Sequence, residues 1–221
     1  MNVVVLREIR SGEARVALMP ESVRKLVALK VSVQIESAAG LNAARTDDDY
    51  REAGAEVSSD RIALLGKADI LVVVNRPDAE DVALMRNGAV VLGFLRPLDE
   101  PAALLPALNQ GLTTFSVELI PRITRAQAMD ALSSMATVAG YKAVLLGASQ
   151  IPRMFPLLMT AAGTVPPARV LVLGAGVAGL QAIATARRLG GVVEGYDVRA
   201  AAGEQVRSLT TPLRNPLRPR F

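Results

Sequence analysis

Short apolar runs rich in Val, Ile and Leu alternate along this chain with longer segments in which apolar residues recur every three or four positions. The short runs predict β-strands and the longer segments predict amphipathic helices. Strands that alternate with helices indicate an α/β fold with a mostly parallel sheet. The predicted strands cover residues 3–6, 31–35, 70–74, 90–94, 113–117, 170–173 and 192–196. The predicted helices cover residues 21–28, 47–53, 79–86, 102–109, 126–146 and 178–189.

The longest predicted helix divides this pattern into two domains. We predict a Rossmann-like, parallel-sheet domain over residues 1–135 and a second, incomplete Rossmann domain over residues 136–209. Residues 210–221 contain three prolines, which exclude a regular helix, so we predict an irregular Pro- and Arg-rich tail there. The apolar residues that recur along the long helix are Ala128, Met129, Leu132, Met135, Ala136, Ala139, Ala143 and Leu146.

The residue types that are missing exclude several kinds of chemistry. The chain of 221 residues contains no Cys, no His and no Trp. Disulfide scaffolds, zinc fingers and CxxC redox sites are therefore excluded. Catalysis by a histidine base or by a Cys–His pair is excluded as well. Any reaction must use Asp, Glu, Lys, Arg, Gln, Ser, Thr or Tyr side chains, or a bound cofactor.

The net charge of +4 is concentrated at one end of the sequence. Residues 207–221 carry four arginines and no acid, and the rest of the chain balances 21 bases against 21 acids. A basic tail without a basic folded face argues against a nucleic-acid partner. The N-terminus lacks the features of a signal peptide, and prolines interrupt the longest apolar stretch, near residues 143–160. We therefore expect a soluble, cytoplasmic chain.

A Gly-rich turn follows the predicted strand 170–173 and opens the next helix. Its sequence, Gly-Ala-Gly-Val-Ala-Gly over residues 174–179, fits the GxGxxG pattern of dinucleotide-binding folds. In that pattern the first Gly allows a tight turn, the second lets a pyrophosphate approach the backbone, and the third lets helix and strand pack closely. The alternative is a turn that binds no nucleotide. The candidate phosphate-binding residues are Gly174, Ala175, Gly176, Val177 and Gly179.

An acidic residue stands where this pattern expects a ribose-binding carboxylate. Asp197 lies 23 residues past Gly174, close to the usual offset of about 20. Its charge would repel a 2′-phosphate and so favours NAD over NADP. Arg199 weakens this argument because a nearby arginine could pair with such a phosphate. Together with Val198, these residues complete the candidate NAD-binding set.

A row of polar residues lies at the start of the long predicted helix. Gln127, Asp130 and Ser133 recur every three positions, and Arg122 precedes them. Judged by periodicity alone, such a row is typical of a solvated helix face.

Several of these segments resemble a known family. Residues 118–135 are similar to the signature of the NAD(H)-binding domain of proton-translocating nicotinamide nucleotide transhydrogenases. Residues 159–168 and 174–199 are similar to the same family, and residues 12–17 are shared with the related alanine dehydrogenases. The resemblance covers about residues 1–209.

The resemblance implies hydride transfer between NAD(H), held by this chain, and NADP(H), held by a partner domain. It also implies proton translocation by a membrane-spanning partner subunit, a peripheral position at the membrane and a homodimer. An Arg–Gln–Asp loop near the nicotinamide would correspond to Arg122, Gln127 and Asp130, with Ser133 beside it. Gln127 and Asp130 would be the catalytic pair.

Two alternatives remain beside that interpretation. After Leu209 the sequence departs from the family pattern, so we expect a truncated member whose second sheet keeps an open edge; such a chain could be an inactive remnant that binds NAD weakly or not at all. The other alternative is an alanine dehydrogenase. It is disfavoured because its catalytic His is missing and Asn75 stands where the resemblance places a substrate-binding Lys.

Overall fold

A computed structural model describes residues 1–199 and 201–209 and divides the chain into two compact units. The first unit is Met1–Asp130, and the second begins at Ala131. The predicted tail, residues 210–221, lies outside the described residues. The elements of the first unit are β1 (Asn2–Val5), α1 (Pro20–Ala28), β2 (Ser32–Glu36), α2 (Asp47–Glu52), β3 (Glu56–Ser58), α3 (Arg61–Lys67), β4 (Ile70–Asn75), α4 (Ala79–Ala83), β5 (Val90–Phe94), α5 (Leu105–Asn109) and β6 (Thr113–Ser116).

The six strands of the first unit form one parallel sheet in the order β3-β2-β1-β4-β5-β6. Helices cover both faces, so β1 alternates between two cores. Val3 and Val5 pack with Val23 and Tyr50 on one side. Val4 belongs to the core on the other side. The predicted α/β, Rossmann-like class is confirmed.

Two helices of this unit begin in different ways. Thr46 accepts a hydrogen bond from the backbone N–H of Asp49, and the Asp49 carboxylate accepts one from the backbone N–H of Thr46. This capping box satisfies donors that helix α2 would otherwise leave open. Helix α1 instead begins at Pro20, and Met19 before it provides no side-chain cap. Proline suits this position because its missing N–H is not needed there.

The second unit is built around two parallel strands. Its elements are α6 (Ala131–Gln150), β7 (Leu158–Thr160), β8 (Gly163–Val165), β9 (Arg169–Leu173), α7 (Val177–Arg188), β10 (Val192–Tyr196) and α8 (Ala202–Leu209). Strand β9 pairs with β10, while β7 and β8 form a small antiparallel hairpin. One face of the β9–β10 sheet packs on α7 through Val170, Val172 and Val193. On the other face Leu171 and Leu173 are 62% and 75% exposed. Within the described residues β9 pairs along one edge only, as the sequence predicted.

Several sequence predictions are wrong in detail. Helices α3 and α8, strand β3 and the β7–β8 hairpin were not predicted, because short elements carry little periodicity. The predicted helix 102–109 is a 3₁₀ turn, Pro101–Leu104, followed by α5. The long helix was predicted to begin at residue 126, but Thr124–Met129 form a 3₁₀ turn and α6 begins at Ala131.

The predicted apolar face of α6 is not its buried face. Met135, Ala139, Ala143 and Leu146 are exposed, whereas Gly140 and Val144 are buried. Helix α6 packs closely on α7 at Gly140, where a Cβ atom would overlap the carbonyl oxygen of Ala178. By length and composition alone α6 is able to cross a membrane. One such helix is weak evidence for a membrane span, because the core helix of a soluble protein passes the same test.

Candidate functional site

The Gly-rich turn leaves β9 in a conformation that requires glycine. Gly174 has a φ of +95°, in the left-handed region that L residues with a Cβ rarely adopt. Its N–H donates to the carbonyl of Tyr196 at the end of β10, over 2.7 Å. The turn is therefore fixed to the neighbouring strand before the chain enters α7.

The other two glycines of the turn differ in what surrounds them. A Cβ on Gly179 would overlap the carbonyl oxygen of Gly174, so only glycine permits this close contact between helix and turn. A Cβ on Gly176 would meet no atom within 4 Å. The space in front of Gly176 is open, as expected where a ligand approaches the backbone.

Helix α7 begins at this open space. Gly176 is its N-cap residue and provides no side chain, and the first helical hydrogen bond runs from the N–H of Leu180 to the carbonyl of Gly176, over 2.8 Å. The N–H groups of the first turn have no partner within the helix, and the helix dipole adds partial positive charge there. A phosphate group fits this chemistry. Ala175 is buried in the turn, while Val177 is 45% exposed.

The Asp197 carboxylate lies against the Gly-rich turn. It follows β10 directly, its side chain is 9% exposed, and its Oδ2 accepts a hydrogen bond of 2.7 Å from the N–H of Ala175. Arg199 donates to the same carboxylate from its backbone N–H and from its guanidinium. The Arg199 guanidinium, aided by the two backbone N–H groups, holds the pKa of Asp197 well below its ordinary value. The site thus presents a charged carboxylate beside an open turn.

The remaining predicted site residues flank the boundary between the two units along the chain. Arg122 is exposed after β6, Gln127 is exposed within the 3₁₀ turn, and Asp130 ends that turn. Ser133 is in the first turn of α6. The predicted helical row of Gln127, Asp130 and Ser133 is therefore wrong, since α6 begins after Asp130. Arg122, Gln127 and Asp130 belong to the first unit, whereas Ser133 and the Gly-rich turn belong to the second.

A second polar cluster lies at the point where the strand order of the first sheet reverses. Ligands of open parallel sheets bind beyond the carboxyl ends of the strands at such a point. Here Glu8 accepts from the N–H of Val74 over 2.6 Å and from the side-chain amide of Asn75 over 3.0 Å. Glu13 accepts from Asn75 over 2.9 Å and from the Arg15 guanidinium over 2.7 and 2.6 Å. The bidentate contact with Arg15 lowers the pKa of Glu13 to about 2. The polar groups at this position are thus engaged with one another.

Sequence reasoning missed two groups that shape these clusters. The Tyr196 carbonyl that fixes Gly174 carries no side-chain signal. Glu8 lies 66 residues from Val74, its partner, so no local pattern could have identified that contact. Among the described residues, no group of three or more His, Cys, Asp or Glu side chains could hold a metal ion.

Both units match models of one protein family. Residues 4–139 match the N-terminal domain described as alanine dehydrogenase/PNT, and residues 143–214 match the C-terminal domain of the same description. The chain is also 34% identical over 200 residues to an alanine dehydrogenase of Halomonas elongata, an alignment that covers 89% of this chain and 53% of that protein.

Transhydrogenase components are more similar. The chain is 50% identical over 214 residues to the first part of the NAD(P) transhydrogenase alpha subunit of Rhodospirillum rubrum. This alignment covers 95% of this chain and 56% of that protein. A solved transhydrogenase structure from Sinorhizobium meliloti superposes with a TM-score of 0.91 at 50% identity, covering 95% of this chain and 62% of that one. The chain therefore spans a little over half the length of these relatives.

Proposed function

Because this chain belongs to the alanine dehydrogenase/PNT family, we propose that it is the NAD(H)-binding component of a proton-translocating transhydrogenase. In this proposal NAD(H) on this chain exchanges hydride with NADP(H) on a partner domain. A membrane-spanning partner subunit couples the exchange to proton movement, and this chain lies on the cytoplasmic side as a peripheral homodimer. The observation that carries the proposal is the open Gly-rich turn with the Asp197 carboxylate hydrogen-bonded to it.

The described residues fit a dinucleotide in charge and in shape. The open face of Gly176 and the N-terminus of α7 would receive the pyrophosphate. The carboxylate of Asp197 would accept hydrogen bonds from the adenosine ribose, and its negative charge would disfavour a 2′-phosphate. Val198, which is 85% exposed, completes the loop beside the ribose position.

The nicotinamide, when bound, supplies the hydride, so the protein needs to bind, orient and exclude water. We propose that the Gln127 amide orients the nicotinamide carboxamide, since an amide both donates and accepts hydrogen bonds. Arg122 would pair with a phosphate or with Asp130. Ser133 would add a hydroxyl beside them. Because the cofactor supplies the redox chemistry, these roles need neither His nor Cys, and the chain contains neither.

The contacts of Asn75 argue against alanine dehydrogenase chemistry. Its side-chain amide donates to the carboxylates of Glu8 and Glu13, so position 75 places no cation at the end of β4. Histidine is also missing from the chain. The other alternative, an inactive remnant that binds NAD weakly or not at all, is tested by a binding experiment.

That experiment is a fluorescence titration of the full chain with NADH. We expect saturable binding by the wild type and at least tenfold weaker binding by Gly176→Ala, because the added Cβ points into the space proposed for the pyrophosphate. Gly147→Ala is the matched control, since its Cβ also meets no atom within 4 Å but lies in α6. Absence of NADH binding by the wild type would support the remnant.

Turnover separates the two enzyme classes. We expect the chain, mixed with the NADP(H)-binding domain of a transhydrogenase, to transfer hydride from NADH to an NADP analogue. Gln127→Ala and Asp130→Asn should slow this exchange. Oxidation of NADH that depends on pyruvate and ammonia would instead identify an alanine dehydrogenase.

A further inference from the structure

We propose that the Arg199 guanidinium competes with the adenosine ribose for Asp197. The guanidinium donates to this carboxylate in the structure and is displaced when a nucleotide with a ribose diol binds. The inference rests on the proposed function and concerns how ligand binding at that site is controlled. It follows from the number and kind of donors on one carboxylate.

Four N–H groups of the described residues donate to the Asp197 carboxylate. The N–H of Ala175 reaches Oδ2 over 2.7 Å, and the backbone N–H of Arg199 reaches Oδ1 over 2.8 Å. The Arg199 guanidinium adds Nε to Oδ1 over 3.0 Å and Nη2 to Oδ2 over 3.1 Å. A carboxylate offers about four acceptor positions on its two oxygens. The carboxylate is therefore saturated before any ligand arrives.

The four donors differ in how readily they can leave. The two backbone donors are fixed, because moving Ala175 would deform the Gly-rich turn and moving the N–H of Arg199 would deform the loop after β10. The guanidinium is 65% exposed and sits at the end of a flexible side chain. Its bonds occupy two acceptor positions, the number that the 2′- and 3′-hydroxyls of a ribose require. Exchange of the guanidinium for a diol leaves every backbone contact in place.

Charge supports the same exchange. Arg199 lowers the pKa of Asp197, but a carboxyl with an ordinary pKa is also ionised at neutral pH, so Asp197 can accept hydroxyl hydrogen bonds both before and after the guanidinium leaves. The ion pair with Arg199 also balances the negative charge of Asp197 beside the Gly-rich turn. The Arg199 side of the pair is largely exposed, so water replaces its contacts when the pair breaks, and the ribose hydroxyls replace those of Asp197, which makes Arg199 a weak competitor instead of a block.

The experiment compares NADH titrations of the wild type, Arg199→Gln and Arg199→Lys. We expect the Kd of Arg199→Gln to be roughly two- to fivefold lower than that of the wild type, because no ion pair has to break. Arg199→Lys should lie between them, since an ammonium keeps the charge but cannot form the parallel pair of bonds. An equal or higher Kd for Arg199→Gln, with normal wild-type binding, would overturn the inference.

A pair of nucleotides tests whether the gain depends on the ribose hydroxyls. The Arg199→Gln substitution should tighten the binding of ADP but leave the Kd of 2′,3′-dideoxy-ADP unchanged, because a ligand without the diol does not displace the guanidinium. Equal tightening of both would show that the gain does not depend on the ribose hydroxyls and would contradict competition at Asp197.

Direct observation of the guanidinium gives an independent readout. The Nε–H proton of Arg199, assigned by its absence in Arg199→Gln, should exchange more slowly without nucleotide than with saturating NADH. An exchange rate of the Nε–H proton that NADH leaves unchanged would contradict the inference but not the proposed function. Failure of the wild type to bind NADH would instead overturn the nucleotide site itself and this inference with it.

Discussion

At the scale of single residues, the geometry of one turn requires two glycines and leaves open space in front of a third. Gly174 adopts a positive φ, Gly179 touches a backbone carbonyl, and Gly176 faces open space. The sequence predicted the tight turn at Gly174 and the close packing at Gly179 from the GxGxxG spacing, and the backbone geometry agrees with both. The binding of a nucleotide at this turn stays a prediction.

Substitution of Gly179 tests the packing reason. We expect Gly179→Ala to lower the free energy of unfolding by about 1–3 kcal/mol, because its Cβ overlaps a main-chain oxygen that cannot rotate away. Gly176→Ala should change stability by less than about 0.5 kcal/mol, since its φ of −78° suits alanine and no atom lies nearby. Urea denaturation followed by circular dichroism measures both. Equal stability of the two variants would contradict this assignment.

Glu13 gives the fold a pH dependence of known sign. Its carboxyl is 10% exposed and bound by Arg15, so its pKa in the folded chain, about 2, lies below the ordinary value of 4.5. A carboxyl whose pKa is lowered by folding stabilises the fold above its ordinary pKa, and this stabilisation fades as pH falls from about 4.5 towards 2.

We therefore expect Glu13→Gln to cost about 1–2 kcal/mol at pH 7 and progressively less below pH 4.5. Urea titrations at pH 7, 4 and 3 measure this difference. Glu194→Gln is the control, because its pair with Arg169 is largely exposed and should contribute little at any of these pH values. A deficit of Glu13→Gln that grows on acidification would refute the assignment.

At the scale of elements, α6 shows how tertiary contacts select a helix face. The sequence identified a long helix and its recurring apolar residues, but it placed the start of the helix wrongly and did not indicate that Gly140 lies on the buried face. Residues 124–129 satisfy the same apolar spacing, yet they form a 3₁₀ turn. The buried positions are set by the close approach of α7 at Gly140, and a glycine adds nothing to an apolar stripe.

Two glycines of α6 make a matched pair of tests. Glycine in a helix interior ordinarily costs about 0.5–1 kcal/mol relative to alanine, so Gly147→Ala should stabilise the chain by about that amount. Gly140→Ala should instead destabilise it by about 1–3 kcal/mol, since its Cβ overlaps the Ala178 carbonyl. Thermal melting of both variants measures these two changes in stability. A rise in melting temperature with Gly140→Ala would mean that α6 and α7 are not in close contact there.

At the scale of the whole molecule, the two units differ in how completely their sheets are covered. In the first unit β4 has a neighbour on each side, and its Leu71 is fully buried. In the second unit β9 has one neighbour among the described residues, and Leu173 is 75% exposed. Hydrogen bonds at an uncovered edge open at lower free energy than those of a buried central strand.

Hydrogen exchange should reveal this difference. We expect the amides of β4 to exchange at least tenfold more slowly than those of β9 in the chain without ligand. Peptide-resolved exchange followed by mass spectrometry measures both strands in one sample. Similar protection of β4 and β9 would contradict the difference in coverage.

The sequence by itself determined the α/β class, most strands, the Gly-rich turn and its carboxylate, and the resemblance to transhydrogenases, which the family matches confirm. These properties are encoded locally, in the spacing of apolar residues and in glycines at fixed intervals. Only the tertiary structure decided that Ala175 donates to Asp197, which face of α6 packs on α7 and how Glu8 reaches the end of β4. Those contacts link residues far apart in the chain, so they depend on strand order and packing, which local periodicity does not encode.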